Sequence, residues 1–278
     1  MWQRVFLLLT LSWYSFHSYA TDVVLYAPEA LHVNPIVNQL VSTFGIDNTV
    51  DSPADMRDSR VVVGTGPDFL DAMPRDQDMM CLAVLPYATS RPAQNKIYHH
   101  YYHVAPDVIA AYLSERFSKI KVGFVYYDKT DPFYVFSQNN PFDNVQFIGR
   151  QAEDDLFEDV RRLQQNKDID IFLISNDTRI YTGRNLRFLL EDLYRKNIPV
   201  LALNQGLINA GATFTLTPIL EDFVANTAAL SQQLASSMPG SRIPQANYAL
   251  SYRVSVNDTL ARRYRLKLVE REVHHYED

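Results

Sequence analysis

The chain has 278 residues, of which 47% are hydrophobic and 21% charged, and its formal net charge is −6 at pH 7. This mildly acidic balance argues against a nucleic-acid-binding protein, because such proteins neutralise phosphates with clustered Lys and Arg. The composition is that of an ordinary globular protein. The chain is long enough for two lobes of about 100 to 150 residues each.

The first 20 residues have the three parts of a secretory signal peptide. Arg4 precedes the apolar run "VFLLLTLSWYSF", and Ser18 and Ala20 occupy the minus three and minus one positions of a cleavage site. The apolar run is shorter than the roughly 20 residues that span a bilayer, although an uncleaved anchor is the alternative. Thr21, not Cys, follows the expected cut, so we expect no lipid anchor and a periplasmic protein. Loss of Arg4 changes the net charge from −6 to −7.

Short apolar runs alternate with helical patterns along the first part of the mature chain. Strands are predicted at 22–28, 60–66, 79–86 and 96–104, and helices at 32–45, from 67 to 73, and at 105–117. Gly45 is a plausible end for the first helix. Cys81 lies within the apolar run "MMCLAVLP" and is the single cysteine of the sequence, which therefore predicts a core residue without an internal disulfide.

The same alternation restarts after about Ser118. Strands are predicted at 119–128, 144–151, 169–175 and 198–204, and helices at 152–166, 183–197 and 217–237. A loop at 238–245, a β-rich run from Tyr248 to Val256 and a short helix after Asn257 complete the chain. Strands that alternate with helices predict α/β lobes, each with a doubly wound parallel sheet. No flexible linker separates the two runs, which favours hinge strands and a ligand site in the cleft between the lobes.

The segment "VGTGPDF" joins a predicted strand to a predicted helix. Phe69 stands where a dinucleotide-binding fingerprint would have its last glycine. The free N–H groups of the helix start, with the Thr65 hydroxyl beside them, could bind a carboxylate. Alternatively, Gly64 and Gly66 serve only a tight turn.

Polar side chains also follow four other predicted strands. They are Tyr87, Ser90 and Arg91; Tyr127, Asp128 and Asp131; Ser175, Asn176 and Asp177; and Asn204 and Gln205. In a cleft, the group around Asp177 could bind an amine or a hydroxyl group. The alternative is an Asx turn, in which Asp and Asn accept hydrogen bonds from their own backbone.

The run "YHHYYHV" places His99, Tyr101 and His103 on one face of a strand and His100 on the other. Such imidazoles can share a metal ion, but without a nearby Asp, Glu or Cys the pattern favours a half-buried aromatic strand. The sequence contains no G-x-S-x-G elbow, no H-E-x-x-H and no P-loop. We therefore expect neither an enzyme nor a metal or cofactor.

The C-terminal part resembles the substrate-binding protein family of ABC transporters, in the branch that binds aromatic or other small amino acids. The residues that carry the resemblance are Gly211 and Ala212, Ile243 and Pro244, and Asn257 through Ala261. Upstream, "VVVGTGPDFL" is similar to the family's Gly-Thr-Pro turn, with Gly66 inserted. The segments "LPYATSRP" and 128–143 depart from the family pattern.

The resemblance implies a type I periplasmic binding protein whose chain crosses three times between two lobes. The first lobe would contain residues 21–118 and about 215–245, and the second 119–214 and about 246–278. Residues Tyr252 to Val256 would cross as a hinge strand, and Asn257 or Asp258 would cap a last helix on the second lobe.

The predicted function is capture of a small polar, amino-acid-like ligand for an ABC permease. The candidate ligand-binding residues are Thr65, Ser90, Tyr127, Asp177 and Asn204. We expect Thr65 to bind a carboxylate, Asp177 an amino group, and Tyr127 an apolar or ring face. The alternative is a sensory or interaction protein of the same fold that docks on a membrane signalling partner, which the departures from the family pattern favour.

Overall fold

The structure is a computed structural model that describes residues 23–28, 34–57, 59–73, 79–87, 96–153, 155–167, 169–237 and 243–273. The expected signal peptide at 1–20 and the candidate ligand residue Ser90 lie outside these residues. In this part of the chain, no helix combines the length and the apolar character that a membrane crossing requires.

The described residues form thirteen strands and nine α-helices. The strands are β1 Val23–Tyr26, β2 Thr49–Val50, β3 Val61–Thr65, β4 Met80–Leu85, β5 Ile97–Val104, β6 Ile120–Tyr126, β7 Val145–Gln151, β8 Ile171–Ile174, β9 Val200–Ala202, β10 Phe214–Pro218, β11 Ala246–Ala249, β12 Tyr252–Val256 and β13 Arg271–Val273. The helices are α1 Pro35–Phe44, α2 Pro67–Ala72, α3 Pro106–Ser114, α4 Pro132–Gln138, α5 Leu156–Lys167, α6 Gly183–Arg195, α7 Leu207–Ala210, α8 Leu220–Ser236 and α9 Asp258–Arg263.

These strands form two sheets, and the predicted α/β class is confirmed. The first sheet has six strands in the order β11-β5-β4-β3-β1-β2, all paired in parallel. The second has seven strands in the order β13-β12-β10-β9-β8-β6-β7. In it, β12 pairs antiparallel with β10 on one side and with β13 on the other. We call the first sheet with its helices the first lobe, and the second sheet with its helices the second lobe.

Each sheet has a hydrophobic core on both faces, as parallel sheets require. In the first sheet, Val63 and Leu82 face the core that contains Phe223 of α8, whereas Val62 and Cys81 face the opposite core. Cys81 is 1% exposed, and burial raises the pKa of its thiol. The second sheet likewise separates a core with α3 from a core with α6.

Local signals account for most helix ends. The Asn34 side chain accepts a hydrogen bond from the Ile36 N–H at the start of α1, and Gly45, with φ of 84°, ends that helix as predicted. A capping box between Thr182 and Asn185 starts α6.

The β-rich run from Tyr248 to Val256 differs from its prediction as one strand. It is divided between β11, which pairs with β5 of the first sheet, and β12, which pairs with β10 of the second. Its alternating β-prone residues do not distinguish one strand from two. The chain passes between the sheets at Leu250 and Ser251.

Several short elements were not predicted. Helix α4 lies within 128–143, where the sequence indicated an unusual loop, and it begins because Asp131 caps it and Pro132 fits its first turn. Strand β10 lies where the sequence predicts partly a loop and partly the start of the following helix. It is five residues long and is held by pairing with β9 on one side and β12 on the other.

The chain passes between the sheets three times, after β5, after β10 and after β11. Helix α3 belongs to a core of the second sheet, in which Ile109 and Leu113 are fully buried. The first crossing therefore precedes α3, whereas the expected boundary at residue 118 follows it. Similarly, β10 joins the second sheet and β11 the first, which is the reverse of the expected assignment of residues 215–218 and 246–249.

Candidate functional site

The strand ends of the first lobe form a largely apolar pocket of about 350 Å³. Its lining residues come from the carboxyl ends of β1, β3 and β4 and from α1, α2 and β5: Tyr26, Pro28, Asn34, Ile36, Thr65, Gly66, Asp68, Phe69, Val84, Leu85, Pro86 and Tyr102. The rings of Tyr26 and Phe69 stack with their centroids 5.8 Å apart. This half of the cleft therefore offers apolar surface with a few polar groups at its edge.

Two glycines make this pocket possible. A Cβ atom on Gly64 would lie 2.3 Å from the Phe69 ring, so the ring can occupy its place only against a glycine. Gly66 has φ of 80°, a conformation that side chains disfavour. The tight-turn interpretation therefore accounts for both glycines.

Two positions of the turn after Thr65 offer no free amide. The Gly66 N–H donates to the Val84 carbonyl oxygen at 2.9 Å, and Pro67 has no N–H. Thr65 itself is half-buried and lines the pocket. Its carboxylate-binding role stays a prediction.

In the second lobe, the residues after β8 form an Asx turn, as the second interpretation of that segment predicts. The Asp177 Oδ1 accepts a hydrogen bond from the Arg179 backbone N–H at 3.0 Å, and the Asp177 carbonyl oxygen accepts from Tyr181 at 2.9 Å. Asp177 is 1% exposed. The turn fixes both Asp177 and the backbone of Arg179.

The side chain of Arg179 pairs with the same carboxylate. Its Nη2 lies 2.6 Å from Asp177 Oδ2 and its Nε lies 2.9 Å from Oδ1, while Nη1 lies 3.8 Å from Asp128 Oδ2. The predicted role of Asp177 is to bind an amino group, and in the structure its carboxylate holds this guanidinium. Burial lowers the pKa of Arg179, but the hydrogen bonds and charge of Asp177 outweigh burial and raise the pKa above its usual value.

Arg179 also joins the two lobes. The Arg179 guanidinium carbon lies 4.2 Å from the ring centroid of Tyr127, which follows β6 of the second lobe. It lies 4.8 Å from the ring centroid of Tyr87, which follows β4 of the first lobe. A guanidinium placed over aromatic faces at these distances makes favourable cation–π contacts. Tyr127, predicted to bind a ring face, is 47% exposed and stacks on this cation.

Asn176 makes a second contact between the lobes. Its Nδ2 donates to the carbonyl oxygen of Tyr102 on β5 and to that of Leu203 after β9, both at 3.4 Å. Its Oδ1 is buried, and no residue of the described part of the chain donates to it. A buried acceptor of this kind gains free energy when a ligand or water donates to it.

The strand end after β9 is more exposed. The Asn204 Oδ1 accepts from the Gly206 N–H at 2.8 Å, so its amide stabilises its own loop. The next residue, Gln205, accepts hydrogen bonds through Oε1 from the hydroxyls of Thr215, Thr217 and Ser255 at 3.4, 3.4 and 3.0 Å. The ligand-binding role of Asn204 stays a prediction.

Asp131 is a buried carboxylate near Asp128 and Asp177. Its Oδ1 accepts from the N–H groups of Phe133 and Tyr134 at the start of α4. Burial, together with the nearby charges of Asp177 and Asp128, raises the pKa of Asp131 to about 7, although the two hydrogen bonds lower it.

The histidines of β5 have the alternation predicted from the sequence. His99 Nδ1 lies 2.9 Å from the Tyr101 hydroxyl on one face, and His100 Nδ1 lies 3.0 Å from the Thr227 hydroxyl of α8 on the other. Burial lowers the pKa of His103 to about 4. Within the described ranges, no three His, Cys, Asp or Glu side chains are placed to hold a metal ion.

The structure therefore brings together Tyr127 and Asp177 of the predicted site residues, with Thr65 on the opposite lobe and Asn204 in a neighbouring loop. Sequence reasoning missed Arg179, which contacts both Tyr127 and Asp177. The signal was the spacing Asp-x-Arg in "NDTRI", where a short turn can bring the guanidinium back onto the carboxylate.

Sequence comparisons against family models and curated proteins gave no match. Comparisons of structure did give matches. A conserved domain protein from Vibrio cholerae superposes with a TM-score of 0.53 and 14% identity, covering 90% of this chain and 96% of that one.

A Streptococcus pneumoniae ABC domain in complex with L-Trp gives a TM-score of 0.52 at 12% identity, covering 88% and 94% of the two chains. A ligand-free, open substrate binding protein with adhesive properties from Clostridium difficile gives 0.53 at 12% identity, covering 89% and 95%. At these identities the likeness shows the fold. The chain has the same two-lobed α/β fold over nearly its whole length.

Proposed function

We propose that this protein is an exported solute-binding protein. It captures a small polar, amino-acid-like molecule between its lobes and delivers it to an ABC permease. The observation that carries the proposal is the meeting of polar strand ends across the cleft, where Arg179 of the second lobe contacts Tyr127 of its own lobe and Tyr87 of the first. Similar structures include one that holds L-Trp and one named as a substrate binding protein, which supports the proposal.

The architecture suits reversible capture. Because the three crossings between the sheets are short connections, the lobes can rotate about them without unfolding either core. Closure then surrounds the ligand with the apolar pocket of the first lobe and the polar strand ends of the second. The buried Asn176 Oδ1 and the Thr65 hydroxyl lie on the two sides and can exchange hydrogen bonds with the ligand.

We propose binding, not catalysis, because the polar groups at the strand ends are already held in turns and ion pairs. Asp177 is paired with Arg179 and Asn204 stabilises its own loop. A nucleophile would need an adjacent general base, and the hydroxyls of Thr215, Thr217 and Ser255 instead face an amide oxygen. We place the protein in the periplasm on the strength of its expected signal peptide.

Isothermal titration of the purified protein against amino acids, amines and monosaccharides tests this proposal. We expect saturable binding of at least one solute. Asn176→Ala should weaken that binding about tenfold, because a ligand donor would lose its buried acceptor. Asn139→Ala, which removes an exposed asparagine at the end of α4, is the matched control and should leave the affinity unchanged. A panel that gives no binding would count against solute capture.

A second candidate function is docking on a membrane signalling partner. It is favoured by the contacts that join the lobes through the chain's own side chains, namely Arg179 with Tyr87 and Asn176 with Tyr102. Cross-linking in intact cells followed by identification of the membrane partner separates the two candidates. A permease supports solute delivery, and a sensor kinase or cyclase supports the second function.

A further inference from the structure

We propose that Arg179 fills, from within the chain, the position in the cleft where the cationic group of a ligand would bind. In doing so it joins the two lobes and decides which ligands the cleft accepts. The inference rests on the proposed function only for the choice of natural ligand, because the contacts of Arg179 lie within the chain.

The position has the composition of a cation-binding cage. Asp177 binds the guanidinium through two oxygens, with Nη2 at 2.6 Å and Nε at 2.9 Å, and Asp128 adds a second carboxylate at 3.8 Å. The Tyr87 and Tyr127 rings lie 4.8 and 4.2 Å from the guanidinium carbon. Two carboxylates with two aromatic faces are the groups that bind organic cations.

The cage is assembled from both lobes, but its parts are not held equally. Asp177, Asp128 and Tyr127 belong to the second lobe, and the Asx turn at Asp177 also fixes the backbone of Arg179. Tyr87 belongs to the first lobe, where it follows β4. When the lobes separate, Arg179 keeps its ion pair and loses the Tyr87 face. Arg179 therefore acts as a latch on the first lobe.

The latch affects the choice of ligand. An external amine or guanidinium must displace Arg179 from Asp177, which is 1% exposed and already satisfied. The wild-type cleft therefore disfavours cationic groups at this position. Removal of the Arg179 side chain leaves the two carboxylates without their cation, and the cage then accepts a small guanidinium from solution.

The test uses Arg179→Ala and Arg179→Gln, with methylguanidinium as the probe. Small-angle X-ray scattering measures the radius of gyration, and isothermal titration measures binding of the probe. We expect both variants to be more open than the wild type. We expect methylguanidinium to bind Arg179→Ala at least about tenfold more tightly than the wild type and to restore its compactness. Arg179→Gln keeps most of the side-chain volume, so it replaces Arg179→Ala in both measurements if the alanine variant does not fold.

Arg187→Ala is the matched control, because Arg187 is 80% exposed on α6 and pairs with Glu191 on the same helix. It should change neither the radius of gyration nor methylguanidinium binding. If the Arg179 variants stay as compact as the wild type, Arg179 does not hold the lobes together. If Arg179→Ala does not bind methylguanidinium, its position is not a cation-binding cage.

These outcomes are distinguishable from failure of the proposed function. Binding of methylguanidinium by Arg179→Ala, together with a solute panel that gives no binding to the wild type, would support the cage and contradict solute capture. Binding of a solute by the wild type, together with no binding of methylguanidinium by Arg179→Ala, would support solute capture and contradict the cage.

Discussion

The two halves of the cleft differ in chemistry although both are built from the ends of parallel strands. The first lobe contributes a pocket of stacked rings and aliphatic groups, with Tyr26 and Phe69 at its centre. The second contributes buried carboxylates and the guanidinium of Arg179. The first lobe therefore provides apolar surface and shape, and the second provides charge.

The difference originates in the turns that follow the strands. After β3, glycines at 64 and 66 let a phenylalanine lie against the backbone, so the turn buries a ring. After β8, Asp177 accepts hydrogen bonds from the residues that follow it, so the turn buries a charge that a neighbouring cation must balance. Each turn thus selects the chemistry of its half.

The largest expected effect comes from truncating the buried aromatic ring of the first lobe, and an exposed ring of the second lobe serves as the comparison. Phe69→Ala should lower the free energy of unfolding by about 3 kcal/mol, because a ring that is 2% exposed leaves a cavity. Tyr127→Ala should lower it by less than about 1 kcal/mol, because that ring is 47% exposed and packs on the Arg179 guanidinium through a cation–π contact. Urea denaturation measures both. Equal losses would contradict the division between a structural and an exposed aromatic.

The second prediction concerns the acidic half. The pKa of Asp131 is about 7 in the folded chain and has an ordinary value of 3.8. Between these values the folded protein keeps a proton that the unfolded chain has lost, so stability falls as the pH rises through this window. Asp131→Asn removes this contribution and can still cap α4.

Wild type and Asp131→Asn should therefore be compared by urea denaturation at pH 5 and pH 8. The wild type should lose about 2 kcal/mol more than the variant over this interval. Asp107→Asn, which changes an exposed carboxylate in the first turn of α3, is the control and should retain the wild-type slope. Parallel profiles for wild type and Asp131→Asn would refute the buried-acid interpretation.

The smallest effect tests the glycine turn of the first lobe. Gly66 has φ of 80°, so Gly66→Ala should lower the free energy of unfolding by about 1 kcal/mol although a Cβ there meets no atom within 4 Å. Gly183→Ala also meets open space but stands at the first position of α6, and it should be neutral or stabilising by about 0.5 kcal/mol. Thermal denaturation of both variants checks the contrast. If Gly66→Ala were as stable as Gly183→Ala, backbone conformation would not be what requires the glycine.

Much of the fold could be predicted because buried parallel strands have continuous apolar runs in the sequence. The strands β3, β4 and β8, and the helices α2, α3 and α5, lie where the periodicity places them. The short elements could not be predicted in this way. Strand β10 depends on two neighbouring strands for its hydrogen bonds, and α4 on a single capping carboxylate, so neither has a strong local pattern.

The sequence identifies the strand ends that carry the candidate site residues, but it does not predict the contacts between them. Tyr127 and Asp177 were identified because polar residues at parallel strand ends converge on one edge of a sheet. The pairing of Asp177 with Arg179 follows from a local turn, whereas the contact of Arg179 with Tyr87 joins residues of two different sheets.

The sequence by itself determined the α/β class, the two runs of strands and helices, and the residues available at each strand end. It could do so because burial and hydrogen bonding leave local periodic patterns in a chain. The tertiary structure alone decided which lobe receives α3, β10 and β11, and how Arg179 bridges the cleft. Those outcomes depend on contacts between residues far apart in sequence, whose free energies exist only after both sheets have formed.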